Sequence, residues 1–157
     1  GHIKVVKFLV EKGADLEIKN KYAETPMHLA AWEGRDEVIK YLLSKGAKID
    51  AQTHPNKYTP LHYAAIAGYL STVKILVTEG ASLTAKTTDG YNAYMHAKNS
   101  GKQDVAKYLD SVMEGNEAAD DDEYDNGDDD DDEAEGDDDD DEDYEGEYDD
   151  DDEDYED

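Results

Sequence analysis

Apolar residues in the first two-thirds of the chain arrive in short bursts at helical spacing. Val38, Ile39, Leu42 and Leu43 form one burst, and Val73, Ile75, Leu76 and Val77 form the next. Val5, Val6, Phe8, Leu9 and Val10 open the chain in the same way, and Val105, Ala106, Tyr108 and Leu109 close the series. Residues three and four apart share one face of an α-helix, so each burst predicts an amphipathic helix. The first three bursts stop at Gly13-Ala14, Gly46-Ala47 and Gly80-Ala81. Polar links such as Ile18-Lys19-Asn20-Lys21-Tyr22 and Ala85-Lys86-Thr87-Thr88-Asp89-Gly90 separate the units. They predict extended arms joined by a turn, with Asp89-Gly90 the clearest turn signal. The link through His54-Pro55-Asn56 is one residue longer than its siblings.

A second helix precedes each central burst. Thr25 suits the N-cap and Pro26 the first helical position, where a missing N–H costs nothing. Met27, Ala30 and Ala31 give this helix a small-residue face that lets a neighbour approach closely. Gly34 suits its end, where a positive φ is often required. The phrase Thr25-Pro26-Met27-His28-Leu29-Ala30-Ala31 then returns, 34 residues later, as Thr59-Pro60-Leu61-His62-Tyr63-Ala64-Ala65. Gly1, Gly34, Gly68 and Gly101 keep the same beat. Repetition at this period predicts stacked units that share one continuous core.

Over residues 1–113 this repeat resembles the ankyrin repeat, a β-turn plus two helices carrying Thr-Pro-Leu-His near its start. The resemblance implies an all-α solenoid of helix-turn-helix units joined by β-hairpin-like loops. The first repeat is partial and lacks its first helix. Two repeats are full. In the last, Asn92-Ala93-Tyr94-Met95-His96-Ala97 stands where the phrase is due, and such a degenerate end suits a cap facing water. The resemblance also assigns His28 and His62 to bracing the hairpins rather than to catalysis. No nucleophile or acid constellation repeats around them, and H-E-x-x-H is absent. Gly101-Lys102-Gln103 lacks the rest of a phosphate-binding loop. No catalytic site, cofactor or metal is therefore expected, and the chain is read as a non-enzyme.

Proteins of this kind bind partners through a concave groove and the hairpin tips. The residues before the middle glycines, Trp32-Glu33 and Ile66-Ala67, fall on that face, as do Asn99-Ser100. The tips offer Tyr22, Glu24, Tyr58 and Tyr91. Trp32 is the only tryptophan, and large aromatics on an exposed face serve as binding anchors. The competing reading is that Trp32 covers a neighbouring helix. Lys7, Lys40, Lys74 and Lys107 also recur, each six residues after its glycine, along one face of the second helices. They form either a solvated polar face or a strip that attracts acid.

Charge divides the chain in two. All 15 Lys and Arg lie in residues 1–113 with 12 acidic residues, a net +3. Residues 114–157 hold 31 Asp and Glu and no base, which brings the total to −28. That segment has no Leu, Ile, Val, Phe or Met, so no burial offsets a chain entropy of about 1–2 kcal/mol per residue. It reads as a disordered Asp/Glu-rich tail, either solubilising or attracting basic proteins such as histones. Its near matches to calcium loops, among them Asp122 to Glu133, lack flanking amphipathic helices and are expected by chance in so acidic a run. Direct binding of nucleic acid is not expected from such a charge.

There is no cysteine, which excludes disulfides and thiolate chemistry. No apolar run approaches the ~20 residues that cross a bilayer, and no signal peptide is visible. The expected setting is intracellular, cytoplasmic or nuclear. The chain opens on Gly in mid-repeat, which reads as part of a longer protein, and a non-catalytic end of an enzyme is a further alternative.

Overall fold

A computed structural model describes residues 2–116, which form seven helices. They are α1 (Ile3–Glu11), α2 (Pro26–Trp32), α3 (Asp36–Ser44), α4 (Pro60–Ala67), α5 (Leu70–Thr78), α6 (Ala93–Asn99) and α7 (Gln103–Asn116). No strand occurs among the described residues. α2, α4 and α6 stack in one layer, and α1, α3, α5 and α7 stack in the other. Each of α2, α4 and α6 packs against the helix that follows it. The fold is thus the all-α solenoid of paired helices that the period predicts.

The core runs unbroken through both layers. Ala30, Ala31, Ala64, Ala65, Ala93 and Ala97 are buried in the first layer, where their small side chains let the helices stack closely. Val38, Ile39, Leu42, Val73, Leu76, Val105 and Leu109 fill the space between layers. α1 is the exception, with no buried residue. Its partner helix is α3.

Helix starts follow the local chemistry. Pro26 and Pro60 stand at the first helical positions of α2 and α4, after extended Thr25 and Thr59. In the last unit Asn92 replaces the threonine and caps α6 by accepting a 2.9 Å hydrogen bond from the Met95 N–H. α7 runs to Asn116, the last described residue. The expected disorder of the acidic tail, like its decoy calcium loops, falls beyond the described residues.

The links are tight hairpins without a strand ladder. In each, one N–H donates back across the turn: Asn20 to the Glu24 carbonyl, Thr53 to the Tyr58 carbonyl, and Thr87 to the Tyr91 carbonyl. The longer middle link holds a cis His54–Pro55 bond. Acidic side chains tie successive units together. The Glu17 carboxylate accepts from the Lys48 N–H at 2.7 Å, and Asp50 accepts from the Ser82 N–H at 3.0 Å.

Candidate functional site: an aromatic hollow on the inner face

The first two hairpins and the inner helices α2 and α4 enclose a hollow of about 430 Å³. Tyr22 and Glu24 come from the first hairpin, and Thr53, His54, Pro55, Asn56 and Tyr58 from the second. Trp32 closes one side from the end of α2, and Tyr63 and Ile66 contribute from α4. Five residues singled out from the sequence (Tyr22, Glu24, Trp32, Tyr58 and Ile66) therefore share one concavity. Trp32 keeps 45 % of its surface open while it also meets Tyr63 of the neighbouring helix α4.

The other candidates lie elsewhere. Glu33 pairs loosely with Arg35 at 3.6 Å, both side chains being exposed. It borders a second apolar hollow of about 320 Å³ between α1, α2 and α3, lined by Val5, Val6, Leu29 and Val38 among others. Ala67 does not line the aromatic hollow. Tyr91 sits edge-to-face on His96 at 5.6 Å in the last unit.

Tyr63 is the residue that the sequence reading missed, and it organises the hollow. Its ring stacks on Tyr58 at 5.8 Å and meets Trp32 edge-to-face at 5.8 Å and His28 at 5.5 Å. Its hydroxyl donates a 2.6 Å hydrogen bond to Glu24 Oε1. Asn20 Nδ2 donates to Glu24 Oε2 at 2.6 Å. These two donors, Tyr63 first, hold the Glu24 carboxyl below the usual glutamate range despite an opposing effect of burial. Burial, followed by the Glu24 contact, pushes the Tyr63 phenol up, so it stays a donor. The pair presents a fixed negative charge in a mostly apolar hollow.

The histidines are structural parts of the wall behind the hollow. His28 Nδ1 accepts from the Thr25 N–H at 3.1 Å, which leaves the Nε2 proton to donate to the Tyr58 carbonyl at 3.0 Å. His28 thereby ties its own helix start to the next hairpin. His62 Nδ1 accepts from the Thr59 N–H at 3.1 Å. Its Nε2 faces the Tyr91 and Ala85 carbonyls without a hydrogen bond of good geometry. Burial, reinforced by His96 at 5.4 Å between ring centres, lowers its pKa to about 4. His96 stands one place later in its unit and contacts the Thr87 hydroxyl at 3.1 Å. All three rings are lowered mainly by burial. The His28 and His62 rings also lie within 2.9 and 2.8 Å of the Thr25 and Thr59 hydroxyls. Among the described residues no cluster of histidines and acids is arranged to hold a metal.

Of the lysine column, Lys7 lies over the Tyr41 ring at 5.7 Å and Lys74 over the Tyr108 ring at 5.5 Å. These lysines reach across to the next unit, where cation–π contacts add a modest attraction.

The pattern described as ankyrin repeats (3 copies) matches residues 1–53 and 49–117. The chain belongs to the ankyrin-repeat family. A 53-residue stretch is 40% identical to the transient receptor potential cation channel subfamily A member 1 homolog of Caenorhabditis elegans, covering 34% of this chain and 4% of that protein. Protein phosphatase 1 regulatory subunit 27 of Homo sapiens is 39% identical over 51 residues, 32% of this chain and 33% of its own. Notch-regulated ankyrin repeat-containing protein A of Danio rerio is 36% identical over 45 residues, 29% of this chain and 40% of its own. The ankyrin chain thus spans 40% or less of each of these relatives. Ankyrin repeats are general modules of protein–protein interaction, and no described helix is long and apolar enough to cross a membrane.

Proposed function

We propose that this chain is a scaffold or adaptor that docks a protein partner in the groove formed by the inner helices and hairpin tips, without catalysis of its own. One observation carries the reading. Exposed Trp32 and Tyr22 and partly buried Ile66 and Tyr58 converge on a single apolar hollow with one fixed carboxylate. Aromatic anchors around a pocket, set on a rigid frame, are what a partner's protruding side chains need. The similarity to a phosphatase regulatory subunit and to a Notch-regulated repeat protein agrees with a regulatory, non-catalytic role inside the cell. Pull-downs with the 157-residue chain and with its Trp32→Ala/Ile66→Ala double variant test the proposal. Partners held by the groove are lost with the double variant and persist in ~0.5 M salt, where surface attraction is screened within a few Å.

A second reading rests on the 31 acidic residues of 114–157. In that case the chain captures basic proteins such as histones by charge. Binding then falls steeply with salt, disappears when 114–157 is removed, and ignores the double substitution.

A further inference from the structure

We propose that the aromatic hollow takes an arginine side chain of the partner, its guanidinium lying against the rings and its edge meeting Glu24. The inference rests on the docking reading and names the chemistry of its central contact.

The charge of the hollow selects a cation. Glu24 supplies a negative charge, and no Lys or Arg lines the wall to neutralise it. Its two hydrogen bonds, from Tyr63 and Asn20, fix the carboxylate in place. A carboxylate has about four acceptor positions, so acceptor capacity remains for a ligand. Trp32, Tyr58, Tyr63 and Tyr22 line the hollow, and aromatic ring quadrupoles attract positive charge.

The shortage of other acceptors selects the kind of cation. A lysine ammonium is a compact, strongly hydrated charge with three N–H donors to satisfy. A wall made mostly of carbon cannot replace that hydration with one carboxylate. A fully methylated ammonium suits the rings but brings no N–H to the waiting carboxylate oxygens. A guanidinium meets both demands, since it is weakly hydrated, stacks by its faces and donates along its edge. A volume of about 430 Å³ exceeds one side chain, so flanking residues of the same segment enter with it, and Ile66 offers them apolar surface. The acidic excess of 114–157 adds a long-range attraction for the same basic segment.

The single tryptophan makes the test direct, because its indole N–H gives one resolved resonance from inside the hollow. The ¹⁵N-labelled 157-residue chain is titrated at ~0.15 M salt with the blocked pentapeptide Gly-Ser-Arg-Ser-Gly. Parallel titrations use versions with citrulline, lysine or trimethyl-lysine in place of arginine. The arginine peptide is expected to shift the Trp32 indole resonance saturably. The citrulline, lysine and trimethyl-lysine peptides bind about tenfold more weakly or less, and Glu24→Gln weakens the arginine peptide by a similar factor. Citrulline binding as well as arginine overturns the proposal, as does tighter binding of either lysine form. An unmoved Trp32 resonance overturns it too. The peptide comparison uses the unsubstituted chain, so it decides the matter even if Glu24→Gln perturbs the fold. Loss of arginine selectivity while the double variant still abolishes partner capture removes the arginine proposal and leaves docking standing.

Discussion

The Tyr63 hydroxyl donates a 2.6 Å hydrogen bond to the Glu24 carboxylate, joining an inner helix of one repeat to the hairpin of the repeat before it across 39 positions. A hydrogen bond to a charged acceptor is stronger than a neutral one, so its removal reaches beyond the pair. Tyr63→Phe keeps the ring packing and is expected to cost about 1–2 kcal/mol in urea unfolding. Glu24 should then titrate closer to the ordinary glutamate value of 4.5. With its folded-state pKa lowered, the Glu24 contribution is fully present above that value and fades as pH falls through the folded one. In the variant this acid-side loss shrinks. A carboxyl titration by NMR that is unchanged in Tyr63→Phe would contradict the assignment.

His62 gives a second, separate pH dependence. Its ring, ordinarily at 6.5, is lowered to about 4 by burial and by His96. The unfolded chain therefore binds a proton that the folded one refuses between those values. Stability from this group is complete above pH 6.5, falls as the solution is acidified, and is lost below about 4. The urea midpoint should drop steadily across that window, while the His62 ring signals stay those of the neutral form until its lower end. A His62 titration midpoint near 6.5 would refute it.

Two glycines with positive φ separate backbone strain from collision. A methyl group at Gly34 (φ +64) would come within 2.7 Å of the Tyr69 ring, whereas one at Gly46 (φ +90) meets nothing within 4 Å. Gly46→Ala should cost about 1 kcal/mol, from the left-handed conformation alone. Gly34→Ala should cost about 1–3 kcal/mol more, because Tyr69 must also move. Equal losses in thermal unfolding would show that the Tyr69 contact gives way freely.

α1 is the weakest element of the described stack. Val5, Phe8 and Leu9 are 54%, 57% and 50% exposed. Local opening follows the number of buried apolar contacts. Amides of residues 3–12 in the 157-residue chain are expected to exchange on the order of 100-fold faster than those of 70–79. Comparable protection in the two segments would contradict this.

Much of the architecture was readable because repetition is a local signal. The Thr-Pro-x-His phrases fix where α2 and α4 begin, and the apolar bursts fix α3 and α5. Trp32 and Ile66 share a column by arithmetic alone. Tyr63 escaped notice because the equivalent place one repeat earlier holds exposed Leu29. Nothing in the phrase distinguishes the two residues. The role of Tyr63 arises from Tyr58, five positions away in its own unit, and from Glu24, 39 positions away, which only stacking brings near. The surroundings of Glu33 were not legible in the sequence either. It sits beside Trp32 in sequence, but at the helix end it turns toward Arg35 and the other hollow. Glu17 and Asp50 recur at the repeat spacing and read only as charge, although each carboxylate holds a backbone N–H of the following repeat.

The hairpins are joined directly as well as through their helices. The His54 N–H donates to the Tyr22 carbonyl at 3.3 Å, and the Thr88 N–H donates to the Asn56 carbonyl at 3.1 Å. Three projections that could sway as independent fingers are coupled knuckle to knuckle. A displacement of the middle projection at Asn56 would therefore strain a bond to the third, and one at His54 a bond to the first.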